Sequence, residues 1–172
     1  LQGTTRRKWE GMRRLWSPWR MQYLTEERPS GCIFCLREGP DRDVENLVLL
    51  RGERAFVMLN RYPYNAGHLM VIPYAHVPSL EDLPAETLTE LVLLANRCLG
   101  ALRRAMSPEA FNLGATLGHA AGAGVAEHVH LHVVPRWEGD TNFMPVLAEV
   151  RVLPELLHDT YRRLRAALEE QA

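Results

Sequence analysis

The sequence predicts an α+β domain built on a largely antiparallel sheet, and three observations predict it. Short apolar runs lie close together in the chain and are separated by turn residues. A long stretch with apolar residues three and four apart interrupts them, and a second such stretch closes the chain. At 172 residues and 47% hydrophobic, the chain is long enough for one domain with a sizeable core and short for two.

The elements follow in order. Residues 1–11 are polar and basic and Met12 precedes the first patterned stretch, so 1–11 are expected to be a disordered extension or an expression remnant. Residues 12–30 are expected to form an N-terminal arm, because Trp16 and Trp19 carry more apolar area than water tolerates without a partner surface. A core follows over 31–145 and a C-terminal helical segment over 146–172. Within the core, the runs 46–50 and 54–59, separated by Arg51-Gly52-Glu53, read as a hairpin. Pro63, Asn65 and Gly67 end the second run, and 68–73 is a third strand. Ser79-Leu80-Glu81-Asp82 has capping-box spacing. Leu88, Leu91, Val92, Ala95, Leu99 and Leu102 then predict an amphipathic helix ending near Met106, with Pro108 beyond. A fourth strand is expected over 111–114. Leu153, Leu156, Leu157, Tyr161, Leu164 and Leu168 mark a terminal helix from about Pro154, a good first-turn proline.

The fifth strand carries the chemistry. Residues 127–136 read Glu-His-Val-His-Leu-His-Val-Val-Pro-Arg, with His128, His130 and His132 alternating with Val129, Leu131 and Val133. A period of two puts all three imidazoles on one face, roughly 6.6 Å apart along the strand. A solvent face normally takes Lys, Glu or Thr rather than three groups that titrate near neutrality. Gly114, Gly118, Gly122 and Gly124 precede this strand, and glycines let backbone N–H groups approach an anion closely. Beside such a nest a neutral imidazole is a competent nucleophile at phosphorus, provided an acceptor holds the proton on its other nitrogen. His130, the middle residue, is best placed to attack; His132 and His68 are placed to donate to phosphate oxygens.

Composition bounds the partners. The formal net charge is −1, which offers no global basic field for nucleic acid. No run approaches a membrane span and no apolar signal core opens the chain, so a cytoplasmic protein is expected. Cys32, Cys35 and Cys98 are odd in number, and the Cys-x-x-Cys pair points to a metal or redox site rather than a disulfide framework. Cys98 falls on the apolar face of the long helix and reads as a small buried hydrophobe.

The run His128-Val129-His130-Leu131-His132-Val133-Val134 resembles the histidine triad family of nucleotide hydrolases and transferases, together with Asn112-x-Gly114 and Gly67-His68-Leu69. The resemblance runs from Trp16 to the last helix. Residues 13–23, 31–35, 62–73, 128–137 and 139–144 look most like the branch that cleaves diadenosine tetraphosphate. It implies a five-stranded sheet and a homodimer formed through the sheet and long helix. It also implies attack by His130 on an α-phosphate to give a nucleotidyl-histidine, with His132 and Asn112 on the phosphate and His68 orienting the triad. Asn60 falls at the ribose position, and Ile33 and Phe34 at the wall of the base. Trp137, Asn142 and Phe143 belong to the branch-specific tail, where a second nucleotide or the acceptor would sit. In relatives that bind zinc, the cysteine pair is completed by a histidine after the third strand and the first triad histidine. Here these are His76 and His128, which gives a structural zinc held by Cys32, Cys35, His76 and His128.

Departures from the family pattern bear on the acceptor. Gly124 and Val125 stand where many members have Gln or Ser, and Thr116 where the branch usually has Asn. With Thr116, Ala123 and Gly124 the loop offers few polar side chains for a second anion, which favours hydrolysis over phosphorolysis. Two rivals stay open on the residues alone: a metallohydrolase whose triad binds a catalytic ion, and a nucleotide-binding protein without catalysis.

Overall fold

The computed structural model describes residues 31–35, 39–140 and 155–170. The arm with Trp16 and Trp19 and the residue Asn142 lie outside the described residues. Five strands form one antiparallel sheet: β1 (Val48–Arg51), β2 (Ala55–Leu59), β3 (Leu69–Pro73), β4 (Ala110–Ala115) and β5 (Leu131–Arg136). Their spatial order is β1-β2-β3-β5-β4, so the last of the described strands inserts between the third and fourth. One helical turn, α1 (Asp43–Asn46), leads into β1. The long helix α2 (Ala85–Met106) joins β3 to β4, and α3 (Leu157–Glu169) follows the sheet.

The period-two alternation sorts each strand between two cores. Leu69 and Val71 of β3, Val57 and Leu59 of β2 and Val133 of β5 face α2 and α3, where they meet Leu91, Leu94, Cys98, Leu102, Leu164 and Leu168. Met70, Ile72, Phe56 and Val48 face the other way and pack with Phe34. Met70 pairs with His132 across β3 and β5, which puts the triad on this second face. The two faces therefore divide labour: one is closed by helices, the other by a short segment carrying the cysteine pair.

The helix start differs from the sequence reading. Ser79 opens only a 3-10 turn (Leu80–Asp82), and α2 begins at Ala85 after Pro84, which ends the turn and occupies the N-cap position of the long helix. Glu90 of α2 accepts from the backbone N–H groups of Glu53 (2.7 Å) and Arg54 (2.8 Å), tying the β1–β2 turn to the helix. At the far end, Arg104 donates to the carbonyl of Ala167 (2.7 Å), satisfying one carbonyl in the last turn of α3. Tyr161 of α3 donates to Val48 O (2.9 Å) in the interior.

Gly67 fixes the entry to β3. Its φ is +78°, and a Cβ there would lie 2.6 Å from Met106 Sδ and 3.0 Å from Leu102 Cδ2. A side chain would be strained by backbone and crowded by α2 at once, just before His68. Cys98 is fully buried and burial pushes its thiol up to about 12, as expected of an inert core residue.

Candidate functional site

The assigned strand β5 begins at Leu131, so His128 and His130 precede sheet pairing; the N–H of Val129 bonds Val77 O (2.8 Å) and holds that extended stretch. The three imidazoles consequently do not form a uniform row. His130 and His132 are neighbours, with ring centroids 4.7 Å apart, whereas His128 turns toward the cysteine pair. His68 and His128 are completely buried, and His130 is 6% exposed.

Fixed backbone partners assign the ring protons. The N–H of Tyr64 can only donate, and it lies 3.0 Å from His68 Nδ1, which must accept. Asn60 adds a second donor: its Oδ1 accepts from Tyr62 N–H (2.9 Å), which turns Nδ2 toward His68 Nδ1 (3.3 Å). A neutral His68 therefore carries its proton on Nε2 and donates it to His132 Nδ1 at 2.9 Å. By the same logic His132 keeps its proton on Nε2, as a donor. His130 has the opposite polarity. Its Nδ1 donates to His128 O (2.9 Å), leaving the lone pair on Nε2. Two adjacent rings thus present one nucleophilic nitrogen and one N–H.

Electrostatics keep both rings neutral. Burial depresses His130 below the ordinary imidazole range. Burial first, and the neighbouring His130 second, lower His132 to about 4. Tyr64, half exposed, lies over His68 (4.7 Å between centroids) and His132 (5.8 Å). Gly114 pairs with His132 across β4 and β5, and a Cβ there would meet nothing within 4 Å, so the space beside His132 is open.

The remaining site residues divide by position. Asn112, opposite Val134, accepts at Oδ1 from Arg136 Nη1 (3.1 Å), which leaves its amide N–H groups to face outward. Arg136 is held in turn by Asp140 (2.6 Å), which also accepts from Asn65 Nδ2 (2.7 Å) and so binds the loop before β3 to the end of β5. Phe34 is 4% exposed, with its ring centroid 4.8 Å from that of His130, whereas Ile33 is 50% exposed. Asn60 has its amide engaged behind His68. Trp137 lines a cavity of about 340 Å³ with Ala66, Met106, Glu155 and Arg163 rather than joining the histidines.

The glycine loop is more self-contained than an open nest. Gly118 (φ +78°) and Gly122 (φ +89°) enclose a 3-10 turn (His119–Ala121). The N–H groups of Ala121, Gly122 and Ala123 all bond carbonyls of that same turn. Thr116 and Ala123 are half-buried and Gly124 is exposed, with open space where its Cβ would be.

Cys32, Cys35, His76 and His128 form a second cluster, with one ligand atom from each and all of these atoms within 4.8 Å of one another. His128 Nδ1 lies 3.3 Å from Cys32 Sγ and 3.7 Å from Cys35 Sγ, and His76 Nδ1 lies 3.2 Å from Cys35 Sγ. A tetrahedral zinc with two thiolates and two imidazoles has ligand edges of about 3.5 Å, so the donor set fits a metal in kind and in spacing. His128 Nε2 donates to Pro73 O (2.9 Å), which fixes Nδ1 toward the thiols as an outer-shell partner of a ligating imidazole does.

Sequence reasoning missed Tyr64, Pro73, Arg136 and Asp140. Tyr64 was legible only as an aromatic in a turn four residues before His68, and the Pro73 carbonyl leaves no trace in a side-chain pattern.

Comparison with known proteins places these features. Residues 41–139 match the family model described as HIT domain. Over 161 residues the chain is 42% identical to AP-4-A phosphorylase of Mycobacterium tuberculosis, covering 89% of this chain and 83% of that protein. It is 34% identical over 97 residues to the asymmetrical bis(5'-nucleosyl)-tetraphosphatase of Schizosaccharomyces pombe, covering 56% of this chain and 53% of that one. Among solved structures it is similar to a Zn-bound histidine triad family protein from Mycobacterium smegmatis. The TM-score is 0.64 at 31% identity, covering 82% of this chain and 95% of that one.

Proposed function

The chain belongs to the HIT domain family of histidine triad proteins, and from that footing we propose that it cleaves dinucleoside polyphosphates by nucleotidyl transfer through His130. The observation that carries the reading is the opposite polarity of the two adjacent rings, a lone pair on His130 Nε2 beside an N–H on His132 Nε2. In the first step His130 Nε2 forms a bond to the α-phosphorus, and the bond from phosphorus to the bridging oxygen breaks. The departing nucleotide takes that electron pair, and His132 Nε2–H and the outward amide of Asn112 stabilise charge on the phosphoryl oxygens. His68 keeps His132 a donor. In the second step an acceptor oxygen bonds to phosphorus, and the electron pair of the N–P bond returns to Nε2.

The loop composition favours water as the acceptor, because Thr116, Ala123 and Gly124 supply little to hold a second anion. The likeness to AP-4-A phosphorylase over 89% of the chain favours inorganic phosphate, and we give it the greater weight. With diadenosine tetraphosphate, phosphate as acceptor yields ADP and ATP, and water yields AMP and ATP. Chromatographic product analysis with and without phosphate tests this reading: ADP that forms only when phosphate is present is expected, and AMP as the main product under both conditions would assign the acceptor to water.

Zinc is the metal we assign to Cys32, Cys35, His76 and His128. It would supply structural cross-linking there, since four protein ligands close the tetrahedron and leave no position for substrate. Free thiols held for a metal accord with a reducing compartment such as the cytoplasm. A homodimer through α2 and the edge strand β4 is the partner reading, supported by the exposed Val92, Leu93 and Leu113.

The mechanism sets a pH dependence. A proton on His132 Nδ1 would oppose the Nε2–H of His68, so the working pair has both rings neutral. Because His130 and His132 are both depressed, the neutral forms persist as pH falls through the usual histidine range near 6.5. The expected kcat/KM profile is level from pH 8 to about 6.5, with its acid limb lower still. An acid limb centred at or above 6.5 would contradict the neutral, buried pair.

A further inference from the structure

Two physical links join the four-ligand cluster to the nucleophile. One runs through the backbone: His128 turns Nδ1 to the thiols, and its own carbonyl accepts the Nδ1 proton of His130 at 2.9 Å. The other is the side chain of Phe34, which the sequence places between Cys32 and Cys35. Its ring is 4% exposed, meets His128 edge-on (5.7 Å between centroids) and lies against His130 (4.8 Å). It also packs on Val48, Phe56, Met70 and Ile72, so it is the wedge by which the cysteine segment closes the catalytic face of the sheet.

The described bonds within that segment are short-range: Cys35 N to Cys32 O (3.2 Å) and Phe34 N to Cys32 Sγ (3.4 Å). Its described attachments to the rest of the protein include the thiol–imidazole contacts, the burial of Phe34 and the packing of Cys32 against the same core. Ligand bonds at both cysteines would replace weak sulfur contacts with strong ones on either side of Phe34. Fixing both flanks fixes the ring, and the ring limits the tilt of the His130 imidazole. A nucleotide that binds against His130 then finds the ring already ordered and gives up less conformational freedom on binding.

We propose that the metal cluster and the nucleotide site are energetically coupled through Phe34. Zinc bound by Cys32, Cys35, His76 and His128 raises the affinity for a nucleoside monophosphate, and the nucleotide raises the affinity for zinc by the same factor. Phe34 is thus a positioning residue, and its partner ligand is the metal next to it. This rests on the nucleotide reading of the triad given above. Equality of the two factors is a thermodynamic necessity for coupled sites, and about tenfold is the expected size.

The test measures AMP affinity calorimetrically on zinc-loaded and zinc-stripped protein, and zinc affinity by competition with a chromophoric chelator with and without AMP. Both ratios are expected near tenfold in the wild type. Phe34→Ala should still bind zinc while both ratios fall to within about twofold of unity. Phe34→Leu, which keeps apolar volume and fold but not the ring, should fall between. Far-UV circular dichroism confirms that each form compared is folded, and the leucine variant decides if the alanine variant is not. Equal AMP affinity in loaded and stripped wild type overturns the coupling. Undiminished ratios in both variants overturn the role of Phe34. AMP that binds neither form overturns the nucleotide reading itself, and the coupling with it.

Discussion

Replacing His130 with asparagine is expected to lower turnover of a dinucleoside polyphosphate by at least about a thousandfold while the protein stays folded. The effect follows from the proposed mechanism, in which His130 Nε2 is the atom that bonds phosphorus, so that its removal deletes a path rather than weakening a contact. The fold should survive because the asparagine amide can still donate to His128 O, the bond His130 Nδ1 makes at 2.9 Å. An unchanged melting temperature with lost turnover is therefore the signature of a nucleophile. A loss of only severalfold would show that another group attacks phosphorus, with His130 in support.

The second large effect concerns stability. Cys35→Ser should abolish zinc binding and lower the melting temperature by about 10 °C relative to the zinc-loaded wild type. Cys35 Sγ lies near both His76 Nδ1 (3.2 Å) and His128 Nδ1 (3.7 Å), so its loss breaks the cluster on two sides. A serine hydroxyl does not ionise readily enough to replace a thiolate. A metal present at roughly a thousand times its dissociation constant adds about 4 kcal/mol of stability, and each kcal/mol moves the midpoint of a domain this size by about 2–4 °C. Elemental analysis of protein purified without chelator, beside melting curves with and without chelator, gives the answer. Equimolar zinc unaffected by the substitution would remove Cys35 from the ligand set.

The strands were legible because alternation of apolar residues is a direct record of a two-sided sheet. Val57, Leu59, Leu69, Val71 and Val133 all land on the helix-covered face that this alternation implies. The start of α2 was less legible. Ser79 has the spacing of a cap, but Pro84 intervenes, and a local motif could not reveal that the helix would restart beyond it. The presence of three histidines was plain, yet their equivalence was not real. Strand periodicity presents His128, His130 and His132 as one row, and only tertiary contacts separate them. Pro73 O and the thiols draw His128 into the cysteine–histidine cluster, while His68 Nε2 polarises His132. The proton assignments depend on backbone donors such as Tyr64 N–H, which every non-proline residue has and no pattern distinguishes. In the same way, the glycines before the triad suggested open N–H groups for phosphate, but the folded loop uses three of its amides to close its own turn.

Whether a nucleotide is ever bonded to His130 can be read directly. The protein is mixed with diadenosine tetraphosphate, quenched at alkaline pH to preserve the acid-labile N–P bond, digested, and analysed by mass spectrometry. The expected result is one adenylyl group on the peptide that carries His130, absent from His130→Asn and chased away by added phosphate. Turnover at the normal rate with no adenylyl group on that peptide, or with the group on a different residue, would contradict covalent transfer through His130.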